Sequence, residues 1–86
     1  GPEGADRAAA DFLAAKSSPP KLTVARFYAA AGDVDLAFDW LEQAYENRIP
    51  QLLHVVAYPE FDSLRADPRY QDLLERIGIS EEALRR

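Results

Sequence analysis

The sequence predicts an all-α protein, and three features of the chain lead to this fold class. Apolar residues recur at the three- and four-residue spacing of one helix face in most of the chain. Serine, aspartate, glycine and proline interrupt these stretches in the combinations that end one helix and begin the next. The one stretch that is also compatible with a strand, residues 51–58, would have no second strand to pair with.

The first helix is predicted over residues 5–16, which are rich in alanine and other strong helix formers. One stripe of this helix carries the residues expected to face inward: Ala5, Ala8, Ala9, Phe12, Leu13 and Lys16. The helix should end at Ser17-Ser18-Pro19-Pro20, because a residue that precedes proline is disfavoured in the α region. The same serines are expected to cap the second helix, which runs from Pro20 to Ala31.

The third helix, Val34 to Arg48, has the clearest amphipathic pattern. Its expected inner face is formed by Leu36, Ala37, Trp40, Leu41, Ala44 and Tyr45. Gly32 supplies the left-handed residue that commonly ends a helix, and Asp33 can cap the helix that follows. The third helix stops at Ile49-Pro50.

Residues 51–66 are predicted to form short helices that are separated at Pro59. Asp67-Pro68 then repeats the cap-and-proline opening of a helix that ends at Gly78. The inward residues of this helix are expected to be Tyr70, Leu73, Leu74 and Ile77. Ser80 can cap a frayed tail over residues 81–86. A single domain over residues 5–80 follows, with residues 1–4 interpreted as an unstructured remnant of a cleaved tag.

Composition and charge argue against several classes of function. Fifteen acidic and ten basic residues give a formal charge of −5, which disfavours binding to the phosphates of nucleic acids. No apolar run approaches the roughly 20 residues that span a bilayer, so no membrane association is expected. Cysteine is absent, which excludes disulfides and thiolate metal sites and is consistent with a cytoplasmic protein.

The residue types of catalytic and metal sites occur without the spacing that such sites need. A calcium loop starting at Asp33 would place Phe38 where a glycine is needed and Ala44 where a bidentate glutamate is needed. His54 is the only histidine, has no further ligand beside it, and is expected to be partly buried. The four glycines form no phosphate-binding loop. We therefore expect a protein with no enzymatic activity, cofactor or metal.

Residues 18–50 resemble a tetratricopeptide repeat, a helix–turn–helix unit of about 34 residues. The resemblance rests on an aromatic residue, a Gly-Asp turn, small residues and a closing proline: Tyr28, Gly32, Asp33, Ala37, Leu41, Ala44 and Pro50. Three positions depart from the family pattern, because Lys21, Val24 and Ala25 stand where it often has tryptophan, leucine and glycine. Residues 59–79 are similar to the segment that follows the last repeat in many bacterial multidomain proteins.

The resemblance implies a short right-handed α-solenoid, with residues 5–16 as the end of a preceding repeat and residues 51–80 as capping helices. It implies a non-catalytic scaffold that binds a peptide or helix of a partner protein. The positions that would line the binding groove are Leu22, Arg26, Ala29 and Ala30. The alternative is an architectural role, as a C-terminal cap that docks within a larger regulator or multienzyme or self-associates as a homodimer.

Overall fold

The computed structural model describes residues 2–79 and contains only helices in that range, which confirms the all-α prediction. Its elements are α1 (Pro2–Ala14), α2 (Lys21–Ala30), α3 (Val34–Glu46), the 3₁₀ helices η1 (Pro50–Ala57) and η2 (Pro59–Leu64), and α4 (Pro68–Ile77). The expected unstructured start is wrong for residues 2–4, because these residues belong to α1. The predicted cap at Ser80 and the tail over residues 81–86 lie outside the described residues.

Helix α1 buries a different face from the one that its apolar stripe predicts. Ala10 has no accessible surface and Leu13 packs partly against the core, whereas Phe12 is 68% exposed. Alanine is the most frequent residue of this segment, so hydrophobicity gives little contrast between one side of the helix and the other. The position of the buried face is set instead by how α1 packs on α2.

A tight turn joins α2 to α3, and its two central residues act as predicted. Gly32 adopts the left-handed conformation with φ of 83°, and Asp33 accepts a hydrogen bond from the backbone N–H of Leu36 at 3.2 Å. This bond, together with the Arg7 guanidinium at 2.9 Å, holds the pKa of Asp33 below its ordinary value. The predicted serine cap of α2 is wrong, because Pro20 occupies that position and no side chain caps the helix.

Helix α2 is the centre of the core, because α1, α3 and η2 all pack against it. Val24 and Ala25 of this helix have no accessible surface. The positions predicted to form the inside of the hairpin are buried: Tyr28, Ala37, Leu41 and Ala44. Ala37 of α3 likewise has no accessible surface, and side chains as small as alanine allow packed helices to approach closely. Pro50 lies outside this core and begins η1.

Residues 51–66 are helical, as expected, but the helix type is 3₁₀ rather than α. Tyr58 is extended, with φ of −85° and ψ of 116°, and separates the two segments because it precedes Pro59. Inward-facing residues recur at every third position within each segment, and Tyr58 between the segments keeps the same spacing: Leu52, Val55, Tyr58, Phe61 and Leu64. A 3₁₀ helix has three residues per turn, so this spacing places the apolar residues of each segment on one side, against the core.

Two arginines of α4 attach it to the outer side of α3. The guanidinium of Arg69 lies 4.4 Å from the centroid of the Phe38 ring and donates a hydrogen bond to Asp35 at 3.0 Å. The same arrangement recurs seven residues further along both helices, in Arg76, Tyr45 and Glu42. Such exposed pairs contribute at most about 1 kcal/mol each, so they orient α4 while its buried leucines supply most of the stability.

The side chain of Tyr28 ties α1 to α2. Its hydroxyl donates a hydrogen bond of 2.5 Å to Oδ1 of Asp11, and its ring is 4% exposed. This hydrogen bond, reinforced by burial, raises the pKa of Tyr28 to about 12 from an ordinary value of 10.0. The neutral phenol is therefore the form that the folded protein favours.

We predict that Tyr28→Phe lowers the free energy of unfolding by about 1 kcal/mol at pH 7, the usual net value of one hydrogen bond. The folded pKa lies above the unfolded one, so the contribution of Tyr28 is complete below pH 10 and is lost as the pH rises towards 12. Urea unfolding at a series of alkaline pH values should show a smaller decline for the variant than for the wild type. Asp11→Asn, which keeps an acceptor but removes the charge, should give an intermediate result. Equal declines in wild type and Tyr28→Phe would contradict this assignment.

Helix α3 ends in a Schellman motif with an arginine at the position that usually holds glycine. The N–H of Ile49 donates to the carbonyl of Ala44 and the N–H of Arg48 donates to that of Tyr45, both at 3.0 Å. Arg48 has φ of 53°, and the other left-handed residues between residues 2 and 79 are glycines. Residues with a β-carbon are strained in this conformation by roughly 1–2 kcal/mol.

We predict that Arg48→Gly raises the free energy of unfolding by about 0.5–1 kcal/mol, because relief of this strain exceeds the extra flexibility of glycine in the unfolded chain. Chemical denaturation at neutral pH measures the change. Asn47→Gly is the comparison: Asn47 has a negative φ of −88°, and its side-chain amide donates to the carbonyl of Gln43 at 2.7 Å, so glycine there should destabilise the protein. A loss of stability in Arg48→Gly would show that the arginine side chain stabilises the folded chain.

Candidate functional site

Helix α2 leaves one face uncovered, and this face forms the floor of a groove. The partly exposed residues Thr23, Arg26, Phe27 and Ala30 recur at the i, i+3, i+4, i+7 spacing of one helix face. Together with Asp6 of α1 and Glu60 of η2 they line a cavity of about 190 Å³. We call the surface formed by these six residues the α2 groove.

A neighbouring cavity of about 360 Å³ extends the α2 groove towards the beginning of the helix. Thr23 and Arg26 line both cavities, so the two are adjacent along the same helix face. The far wall of this second cavity is formed by Ile49, Gln51 and Tyr58. The 3₁₀ region therefore supplies one side of the groove along much of α2.

Arg26 stands between the two cavities and is held on two sides. Its Nε donates a hydrogen bond to Oε2 of Glu60 at 2.5 Å, and its guanidinium carbon lies 4.1 Å from the centroid of the Tyr58 ring. The Nη groups donate to no side chain or backbone carbonyl among residues 2–79. The guanidinium is fixed by the bond from Nε and by stacking on the tyrosine ring, and its Nη groups remain available as donors. It can therefore bind a carbonyl or carboxylate without first being ordered.

The four residues that the family resemblance assigns to partner binding fall into two pairs. Arg26 and Ala30 line the α2 groove. Leu22 and Ala29 are only 9% and 5% exposed, because the helices around α2 cover that side of it. Leu22 still reaches the edge of the 360 Å³ cavity, whereas Ala29 lies in the core away from the cavities described above. The expectation of an accessible surface at Ala29 is therefore wrong.

Thr23 and Phe27 line the α2 groove although they were not predicted to do so. Both stand on the same helix face as Arg26 and Ala30, and this spacing was the signal available in the sequence. The stripe mixes a hydroxyl, a cation, an aromatic ring and a methyl group. This mixture forms neither an apolar nor a polar face, so the pattern of hydrophobic residues does not identify it as a binding surface.

The α2 groove carries hydroxyl, guanidinium, carboxylate, aromatic and methyl groups. No cluster of three potential metal ligands is found between residues 2 and 79, and no helix in that range is long and apolar enough to cross a membrane. His54 is exposed on η1, so the expectation that it is partly buried is wrong. The arrangement in the α2 groove can form hydrogen bonds and apolar contacts with a ligand.

Comparison of this chain with protein-family models, with curated proteins and with solved structures gave no match. The resemblance to tetratricopeptide repeats thus rests on the residues of the sequence. The geometry of the α2 groove is the remaining basis for assigning a function.

Proposed function

We propose that the protein is a non-catalytic interaction module that binds a peptide or helix of a partner protein in the α2 groove. The observation that carries this proposal is the fixed guanidinium of Arg26, with Nε on Glu60 and its face on Tyr58. Ordering a long side chain normally opposes binding by about 0.5–1.5 kcal/mol. Here the protein has already ordered the side chain before any ligand arrives.

The size and chemistry of the α2 groove fit a short stretch of polypeptide. Helix α2 has 10 residues, which corresponds to a length of about 15 Å. An extended peptide covers this distance with four or five residues, since each spans about 3.3 Å. The hydroxyl of Thr23 and the Nη groups of Arg26 can bind peptide polar groups, and Phe27 and Ala30 offer apolar contact between them.

The test is to select ligands from a random peptide library on the wild-type chain and to measure their affinities by fluorescence polarisation. We expect Arg26→Gln to weaken the selected peptides by about tenfold, the loss of one charge-assisted hydrogen bond. Ala30→Glu should weaken them further by filling the groove. Arg65→Gln is the control, because it changes an exposed arginine outside the groove and should leave affinity unchanged.

Circular dichroism of each variant shows whether the fold is retained. If the selected peptides bind Arg26→Gln and Ala30→Glu as tightly as the wild type, the α2 groove is not the binding site. If no peptide can be selected, the interaction-module proposal fails for peptide ligands.

One observation favours the alternative, an architectural role in docking or self-association. Phe12 is 68% exposed on the outer side of α1, where Ala5 and Ala8 are also exposed. Lys16 covers part of the ring, with Nζ 5.0 Å from the ring centroid. An exposed aromatic ring among alanines can pack closely on another helix, either elsewhere in a longer protein or on a second copy of this chain.

Light scattering over a range of protein concentrations tests this alternative. If α1 mediates self-association, the wild-type mass should rise with concentration and Phe12→Ser should stay monomeric. Leu53→Ser is the matched control, because Leu53 is the other large apolar side chain that is exposed between residues 2 and 79, at 57%, and lies on η1. A wild-type protein that stays monomeric throughout would contradict self-association through α1.

A further inference from the structure

A separate cleft lies where the end of α3, η1 and the end of α4 meet. Its volume is about 510 Å³, larger than either cavity along α2. Its walls carry apolar side chains that remain accessible: Leu53 is 57% exposed, and Ile49 and Ile77 are partly exposed. The two charged residues that line it are Glu46 and Arg48.

Arg48 differs from the other arginines of residues 2–79 in having no acidic partner among the described residues. The other five each pair with a carboxylate: Arg7, Arg26, Arg65, Arg69 and Arg76. Arg48 also occupies a left-handed position, with φ of 53°, where glycine would be the less strained residue. A guanidinium without a carboxylate partner among residues 2–79, at a position that disfavours its backbone, is available to an external ligand.

We propose that this cleft is a second docking site, which binds a peptide segment carrying a carboxylate side chain next to a large aliphatic residue. The carboxylate pairs with the guanidinium of Arg48, because two N–H groups of a planar guanidinium can donate to the two carboxylate oxygens at once. The aliphatic side chain covers Leu53 and Ile77. We call the surface formed by Glu46, Arg48, Ile49, Leu53 and Ile77 the Arg48 cleft.

The charges around the Arg48 cleft favour a carboxylate over a more highly charged anion. Glu46 lines the same cleft and repels a ligand in proportion to its negative charge. The formal charge of −5 on the whole chain acts in the same direction. A single carboxylate experiences less repulsion than a phosphate group, while apolar contact with Leu53 supplies affinity that charge alone would not.

This site is independent of the proposed function of the α2 groove, although Ile49 lines cavities on both sides. The guanidinium of Arg26 has Glu60 and Tyr58 as partners, whereas that of Arg48 has none among the described residues. Ligands of the two sites can therefore be told apart by which arginine they require.

The experiment uses peptides selected from a random library on the full chain, each then measured against a panel of variants. We expect one class that contains Asp or Glu beside Leu or Ile. This class should lose about tenfold or more in affinity for Arg48→Gly and for Arg48→Asn, which both accept the left-handed backbone without the charge. Arg48→Lys should retain part of the affinity, and Arg26→Gln should retain all of it.

Three further changes make the test specific to the cleft. Leu53→Ser should weaken the same peptides, and replacing their acidic residue by its amide should weaken binding to wild type but not to Arg48→Gly. Glu46→Gln should strengthen binding by about twofold or more, because it removes the like charge. Arg48→Gly is expected to have a raised Tm, so its loss of binding cannot come from unfolding.

Two results would overturn the proposal. One is the absence of any peptide class that loses affinity in both Arg48→Gly and Arg48→Asn. The other is a class that depends on Arg48 but contains no acidic residue. Failure of the α2 groove would appear differently, as the absence of any peptide class that loses affinity for Arg26→Gln and Ala30→Glu.

Discussion

The burial of α2 on three sides is the constraint on which the rest of the structure depends. Val24 and Ala25 have no accessible surface, and α1, α3 and η2 all pack around this helix. A helix has 3.6 residues per turn, so three packed neighbours leave only a single stripe of it open. That stripe is the floor of the α2 groove. The binding surface therefore lies on the most enclosed helix and is held in place by the core. A site on such a helix is better preorganised than a site on a loop.

Arginines, aromatic rings and carboxylates position the outer elements around this centre. Arg26 joins α2 to the 3₁₀ region, and Arg69 and Arg76 join α4 to α3 in contacts spaced by seven residues. Each guanidinium stacks on one ring and pairs with at least one carboxylate, so its charge is used within the chain. Arg48 makes no such contact with the described residues. A guanidinium of the kind that pairs with carboxylates elsewhere in the fold is thus available to a ligand in the Arg48 cleft.

Local features were predictable from the sequence, and features set by long-range packing were not. Gly32 and Asp33 act through a backbone angle and a hydrogen bond to a residue three positions away, so nearby residues define them. In the 3₁₀ region apolar residues recur at every third position. Long 3₁₀ segments are uncommon, however, so the sequence alone favours α-helices there. The anchoring of Arg26 depends on η2, because its partner Glu60 lies 34 positions further along the chain. A single sequence does not show which face of α2 that segment covers.

Hydrogen–deuterium exchange along the chain tests most directly whether α2 is the fixed centre of the structure. Amides at the middle of α2, around Val24 to Tyr28, should exchange only through global unfolding, at the slowest rate between residues 2 and 79. Amides of η1 should exchange faster by local opening, because this segment is short and its hydrogen bonds are of the weaker 3₁₀ type. Fast exchange in α2 while α3 and α4 remain protected would contradict the account, since the floor of the α2 groove would then not be rigid.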